Sequence, residues 1–432
     1  MEENINKILE TKDISKIYDI ALKYYQGDEQ TQINYNLAVE LFEKAIELGE
    51  NRAKFYLAES IYYGRGIEQS YEKAFKMFEE IIDETNNAIA KFYIGEMYYH
   101  GDYVKVDYEK AYEIFNELVE QYNDIPAENY LGRMYYYGKY VEQDYEKAYN
   151  IFSRLSEEHN YIHSKYFLAV MYYYGRHVDK DYEKAYEIFK ELIENTNRWE
   201  AKYYIGLMYY YGNYKEQDYE KAYNIFNELV EKYDDYYSKY YLGLMYYNGE
   251  FLEQDYEKAY EIFKYLVEKY DNDEYKKELI KVLYYMGEYK EALSVFQSLE
   301  NQNDESGEIP YYMGEIHLKK GNEEKAFEYF KISELNNWPL AQMELIQIYL
   351  SDERKDVCKV LELCQSLIES KMWFLSDWAK CVIGRLYYDG KEYGYDIEED
   401  KEKGLKLIKE AAEANIPQAI KFLEEIEETN NS

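Results

Sequence analysis

The chain predicts an all-α fold: an α/α superhelical solenoid of about eleven helix-turn-helix repeats. Three observations carry that expectation. Five consecutive stretches are near copies at a spacing of 37 residues, Ala90–Leu118, Ala127–Leu155, Ser164–Leu192, Ala201–Leu229 and Ser238–Leu266. A fixed period of this size marks an array whose units bury their apolar faces only against their neighbours. Two columns of small residues recur with the period, Ala21, Ala58, Gly95, Gly132, Ala169, Gly206 and Gly243, and Ala38, Ala74, Ala111, Ala148, Ala185, Ala222 and Ala259. Small side chains there let two helices approach closely. Finally, Pro126, Pro310, Pro339 and Pro417 all fall where a first helix should begin, and a proline's missing N–H is tolerated there.

Within the unit from Ala201, the first helix carries Ala201, Ile205, Met208 and Tyr209 on one stripe, the spacing of an amphipathic helix. Gly212 follows where a left-handed cap is needed, as do Gly101, Gly138, Gly175 and Gly249 in the other units. Asp218 is a good N-cap for the second helix, with Glu220 in its positive first turn. Ala222, Ile225, Phe226 and Leu229 form the inward stripe. Asp107, Asp144, Asp181 and Asp255 repeat the cap. This phase divides the chain into a lead-in (1–14), seven repeats (15–270), two shorter-link repeats (271–337), two divergent repeats (338–416), and a capping helix with an acidic tail (417–432).

Composition narrows the function. Lys plus Arg number 51 against 87 Asp plus Glu, a formal charge of −36. Such a surface repels phosphate backbones and anionic lipid, so nucleic acid is not an expected partner and a basic protein segment is favoured. No apolar run approaches a membrane span, so membrane insertion is not expected. The start shows no signal peptide, and three cysteines, odd in number, look like free thiols of a reducing compartment, which makes a cytoplasmic location the expectation. Tyrosine is the outlier at 60 residues; its apolar body and polar tip suit helix seams and binding surfaces alike.

The run A-x-x-x-L-G-x-x-Y-x-x-G followed by D-Y-x-K-A resembles the Sel-one-like repeat, a relative of the tetratricopeptide repeat. From Gly132 to Ala148 is sixteen positions, the longer link of the Sel-one-like form; from Gly314 to Ala326 is twelve, as in a plain tetratricopeptide repeat. The usual G-x-G-V link survives with both glycines only at Gly64-Arg65-Gly66-Ile67, which leaves link geometry open. The resemblance implies an adaptor that brings proteins together and has no chemistry of its own. It is a fold-level analogy.

A search for chemistry supports the same expectation. His159 and His163 are four apart but straddle a turn, short of the three or four ligands a zinc site needs. Cys358 and Cys364 read as small core residues. There is no Gly-rich phosphate loop, nucleophile elbow or calcium loop, so no catalytic residue, metal or cofactor is expected. By similarity to tetratricopeptide arrays, the first helices line the concave side. The tyrosines expected there are Tyr62, Tyr63, Tyr99, Tyr136, Tyr137, Tyr173, Tyr174, Tyr210, Tyr211 and Tyr247, with Tyr166, Tyr203 and Tyr240 one turn earlier. They would form a trough for a protein or peptide; the competing reading is that these rings cover seams between units. Two other functions fit the sequence: a self-associating structural protein, or a regulatory subunit docking a separate enzyme through Met372, Trp373, Phe374 and Trp378.

Overall fold

Short polar caps and left-handed glycines dictate where each helix starts and stops. Asp107, Asp144, Asp181, Asp218 and Asp255 each accept a hydrogen bond from the backbone N–H three residues on, at 2.9–3.1 Å. Gly101, Gly138, Gly175, Gly212 and Gly249 close the first helices with φ between 66° and 83°. The second helices end on left-handed Asn86, Asn123, Asn160, Asp234 and Asp271, side chains that tolerate this region.

The computed structural model describes residues 13–28, 30–196, 198–299, 306–351, 353–370, 372–390 and 397–430. Most of the lead-in and the last two residues of the acidic tail lie outside that set. Among the described residues there are 23 helices and no strand. The chain divides into two units, Met1–Gln217 and Asp218–Ser432.

The first unit runs α1 (Ile14–Gln26), α2 (Tyr35–Glu47), α3 (Arg52–Tyr63), α4 (Tyr71–Thr85), α5 (Ala88–His100), α6 (Tyr108–Tyr122), α7 (Ile125–Tyr137), α8 (Tyr145–His159), α9 (Ile162–Tyr174), α10 (Tyr182–Thr196) and α11 (Trp199–Tyr211). Consecutive helices pack as hairpins, and each hairpin packs on the next. The small-residue columns sit at the crossings: a methyl group on Gly132 would lie 2.7 Å from Phe152 Cε1. Phe78, Phe115, Phe152 and Phe189 are wholly buried. Each stacks on a ring of the following first helix, Tyr93, Tyr130, Phe167 and Tyr204 in turn, with centroids 4.8–4.9 Å apart. This ring column is the seam between repeats, and sequence reading did not single it out.

The second unit runs α12 (Tyr219–Tyr233), α13 (Tyr236–Asn248), α14 (Tyr256–Tyr270), α15 (Asp273–Met286), α16 (Tyr289–Gln297), α17 (Glu308–Lys319), α18 (Glu323–Leu335), α19 (Pro339–Leu350), α20 (Val357–Glu369), α21 (Trp373–Asp389), α22 (Lys401–Glu413) and α23 (Pro417–Asn430). Phe226, Phe263 and Phe330 continue the buried phenylalanine positions. Cys364 and Cys381 are buried, but Cys358 is exposed. Its place among the core residues is therefore corrected: Val357 and Val360 take the inward stripe of α20.

The links replace the missing glycines in an unexpected way. Tyr103, Tyr140, His177 and Phe251 hold φ of 64–69° where Gly66, in the one link that keeps both glycines, has 73°. A side chain in this region is strained. Each ring packs on an aromatic of the adjoining second helix: Phe75, Tyr112, Tyr149 and Tyr223, at 5.3–5.6 Å. Gln69, Gln143, Gln217 and Gln254 then donate to the carbonyl seven residues back, at 2.8–3.0 Å, closing the end of the first helix.

Candidate functional site

The first helices α3, α5, α7, α9 and α11 each end in two aromatic positions before the capping glycine, and the structure separates them. Tyr136, Tyr173 and Tyr210 are 2%, 6% and 7% exposed, whereas Tyr137, Tyr174 and Tyr211 are 49%, 41% and 52% exposed. Tyr62 and Tyr99 are buried and Tyr63 is exposed by the same rule. The expectation that Tyr62, Tyr99, Tyr136, Tyr173 and Tyr210 line an open trough is therefore corrected. Neighbouring side chains enclose their rings, and the hydroxyls of Tyr62, Tyr136 and Tyr173 reach the link of the next repeat. Tyr62 donates to Asp102 at 2.9 Å; Asn213 donates to Tyr173 at 3.3 Å, and Arg176 donates to Tyr136. A buried phenol needs such a partner, so this column staples one repeat to the next.

The inward stripe of Ala201, Ile205 and Met208 is buried as expected, and only Tyr209 is corrected. Tyr209 is partly exposed while Tyr210 is buried. Its equivalents Tyr135 and Tyr172 reach back to the hydroxyls of Tyr112 and Tyr149, at 3.3 and 3.0 Å.

The exposed column lies on the first-helix face. Tyr63, Tyr137, Tyr174 and Tyr211 each stand edge-on to the buried tyrosine before them, at 4.8–4.9 Å. They are thereby pre-positioned, with little ordering cost left for binding. His100 takes the same place in α5. Tyr166 and Tyr203 are half-buried on this face, Tyr166 under the Arg198 guanidinium at 4.5 Å. In the second unit Tyr240 and Tyr247 are half-buried, Tyr240 against Phe263 and Tyr275, Tyr247 against Tyr256 and Tyr285.

Ionisable groups sit among the rings at the position after the small residue. Glu59 accepts from the hydroxyls of Tyr25 and Tyr93, at 2.9 and 2.6 Å. Glu96 accepts from Tyr130 at 2.7 Å, and burial raises its pKa above the ordinary carboxylate value. The next place in the column is Arg133. The corresponding region of the second unit holds Lys281, 2.9 Å from Glu278 and 3.3 Å from Glu308.

Sequence-level metal and thiol candidates have local explanations. The His163 Nδ1 lies 3.0 Å from Arg198 Nη1, and His159 lies beside Glu158. No group of three or more His, Cys, Asp or Glu side chains among the described residues is arranged to hold a metal ion. Burial pushes the Cys364 thiol up to about 12. At the start of α21, Met372, Trp373 and Phe374 are exposed, while Trp378 packs against the core.

Comparison with known proteins accounts for the architecture. The Sel1 repeat model matches residues 17–50, 51–86, 88–123, 125–160, 162–197, 199–231, 237–268 and 381–424. A tetratricopeptide repeat matches residues 278–339, where the short links lie. No curated protein matches the chain. Among solved structures, c5321, a protective antigen present in uropathogenic Escherichia coli strains and displaying an SLR fold, aligns with a TM-score of 0.64 at 22% identity, over 99% of this chain and 90% of that one. A Sel1 repeat protein from Oxalobacter formigenes aligns with a TM-score of 0.43 at 23% identity, over 57% of this chain and 98% of that one. The period, the paired helices and the matched segments, which cover well over half of the sequence, agree: the chain belongs to the Sel1 repeat family.

Proposed function

We propose that the chain is a non-enzymatic scaffold that binds a protein or peptide on the first-helix face of its first unit. The observation that carries this reading is the exposed tyrosine column, Tyr63, Tyr137, Tyr174 and Tyr211, held edge-on by a buried column that already serves packing. Rigid aromatic rings with a polar tip supply binding energy at low entropic cost. Repeats of this kind typically act as protein interaction scaffolds. The net charge of −36 favours a partner that is basic overall, and its association should slow as salt rises. Among the described residues no helix is long and apolar enough to cross a membrane.

The test is affinity capture from the source cell with the wild-type chain and with a chain carrying Tyr→Ala at positions 63, 137, 174 and 211. Loss of the same captured protein with an unchanged melting curve supports the reading. Equal capture by both chains contradicts it.

The exposed cluster of Met372, Trp373 and Phe374, with Trp373 73% exposed, favours a second reading, a docking point for another protein in the second unit. Capture that survives the tyrosine changes but is lost on Trp373→Ala would move the binding role there. Light scattering on the purified chain separates both readings from self-association.

A further inference from the structure

α21 is longer than its counterparts. It spans 17 residues, against 12–14 in the other first helices of the second unit. The extra length lies at its start. A methyl group on Gly384 would meet Ile408 at 2.7 Å across the hairpin crossing, just as one on Gly132 would meet Phe152. Both helices end five residues after that glycine, but α21 begins eleven before it and α7 only seven. Residues 373–376 are thus one turn added to the repeat. This turn carries Trp373 and Phe374, 73% and 48% exposed, with ring centroids 6.0 Å apart. Two large exposed rings on a turn that the crossing does not use mark a contact surface.

The same helix also lines a cavity of about 210 Å³, with Trp378, Val382, Arg385 and Leu386 on its wall and Leu350 of α19 and Gln418 of α23 completing it. A cavity of about 150 Å³ takes a benzene ring, so this one has room for an aromatic side chain. The Arg385 side chain is half-exposed, 3.6 Å from Asp389, and its guanidinium already lies 4.7 Å from the Phe422 ring, so it can stack on an incoming ring as well. Phe374, Trp378, Val382 and Arg385 follow one another at intervals of four, four and three residues and share one stripe of α21. Knob and cavity therefore lie on one face, with Trp378 midway between Phe374 and Val382. Local charge suits a like partner: residues 372–389 hold two acids and two bases in a chain of net charge −36. Asp377 pairs with Lys380 at 2.8 Å, as Asp389 does with Arg385. Two copies meeting elsewhere bring like charge together; here they bring neutral surfaces together.

We propose that α21 is a dimerisation helix. A second copy of the chain lies antiparallel on it about a two-fold axis at Trp378, and the Phe374 of each copy enters the cavity of the other beside Val382 and Arg385. An interface between identical chains about a two-fold axis must be its own complement, each residue i that meets j being met in turn by j. A ring and a cavity on one stripe, at equal distances either side of Trp378, satisfy that condition. An aromatic anchor in a pocket at the centre of a contact also supplies most of the binding energy of such an interface. The proposal gives the exposed cluster of α21 a second copy as its occupant in place of a different protein. It leaves the tyrosine column of the first unit to the partner proposed above.

Sedimentation velocity of the full-length chain over a wide concentration range, at low and at high salt, provides the test. The expected result is a reversible monomer–dimer equilibrium that strengthens with salt, because salt screens the repulsion between two chains of charge −36. Binding of a basic partner to the first unit has the opposite salt dependence, so the two readings fail separately. Phe374→Asp removes a ring from each copy and should raise the dimer dissociation constant about a hundred-fold, with the helical circular dichroism unchanged. Gln418→Trp, at an exposed position on the cavity wall, should block entry and weaken the dimer likewise. An equimolar mixture of the two variants should regain dimer, since one intact ring then meets one open cavity. A chain that sediments as a single copy at every concentration, or a dimer that both variants leave intact, overturns the proposal. Assemblies that grow beyond two chains overturn the two-fold arrangement.

Discussion

The hairpins α7–α8 and α15–α16 use the same pairing of helices with different links, and the difference separates what the fold needs from what it permits. In α7–α8 the link spans residues 138–144: Gly138 and Tyr140 are left-handed, Gln143 closes the first helix and Asp144 caps the second. In α15–α16 the link is Gly287 and Glu288 alone, and Glu288 N–H bonds back to the Leu283 carbonyl at 2.9 Å. The short link has no room for the glutamine clip or the strained aromatic. Both hairpins still expose the second of their paired tyrosines, Tyr137 at 49% and Tyr285 at 48%. Both also carry a cation on the first helix. Lys281 pairs with Glu278 and Glu308, while Arg133 lies over the rings of Tyr130 and Tyr99. Hairpin packing accommodates either arrangement.

The largest expected effect breaks the feature common to both. Phe152→Ala removes a ring that is wholly buried, stacked on Phe167 and in contact with the Gly132 crossing. It should cost about 3–5 kcal/mol, read from denaturant unfolding. A cost below about 1 kcal/mol would show that the stacked seam does not hold the repeats.

The ion-paired Lys281 and the ring-stacked Arg133 give the sharpest contrast. Lys281→Met leaves Glu278 and Glu308 facing each other in a largely buried place and should cost about 3 kcal/mol at neutral pH. Burial and the Glu308 charge raise the Glu278 pKa in the native chain, while Lys281 lowers it; removing the lysine raises it further. A carboxyl with a raised native pKa adds stability that is present below its unfolded value and lost as pH rises through the native one. The Lys281→Met penalty should therefore shrink as pH falls. Arg133→Met takes a compensating charge from the half-buried Glu96 but leaves its hydrogen bond from Tyr130, and should cost less than Lys281→Met, about 1 kcal/mol. Equal penalties for the two changes would erase the distinction.

Gly132→Val tests the close crossing. Its side chain would meet Phe152 and Ile151, and the expected cost is roughly 1–3 kcal/mol. The link offers the smallest effect. Tyr140→Val places a β-branched residue at φ 64° and removes the ring contact with Tyr112, for an expected loss of about 1–2 kcal/mol. Tyr140→Gly relieves the strain as it removes the ring and should come within about 0.5 kcal/mol of wild type. A Tyr140→Val melting curve identical to wild type would show that the left-handed position is not a constraint.

Helices, caps and crossings were legible in the sequence because their chemistry is local and recurs every 37 residues. Asp144 caps α8, Gly138 ends α7 and Gly132 meets Phe152, as spacing alone indicates. The candidate face was legible only in part. Tyr136 and Tyr137 are adjacent, identical and equally periodic, so nothing in their pattern says which ring the next repeat covers. That choice depends on how far one helix is rotated against its neighbour. The bond partners forty residues on, Arg176 for Tyr136 and Asn213 for Tyr173, carried the missing signal. The link aromatics were hidden for another reason. Tyr103, Tyr140, His177 and Phe251 stand where a glycine would advertise a left-handed turn, and an aromatic there reads as an ordinary loop residue.

The division of labour between neighbouring tyrosines is the central claim, and Tyr136→Ala against Tyr137→Ala tests it most directly, each measured for unfolding free energy and partner capture. Tyr136 is enclosed and bonded to Arg176, so its loss should cost about 3 kcal/mol, close to a core phenylalanine. Tyr137→Ala should leave stability within about 0.5 kcal/mol and weaken capture by about 2 kcal/mol. If Tyr137→Ala unfolds the chain as readily as Tyr136→Ala while capture per folded molecule is unchanged, both columns are packing and the exposed face is not where the partner binds.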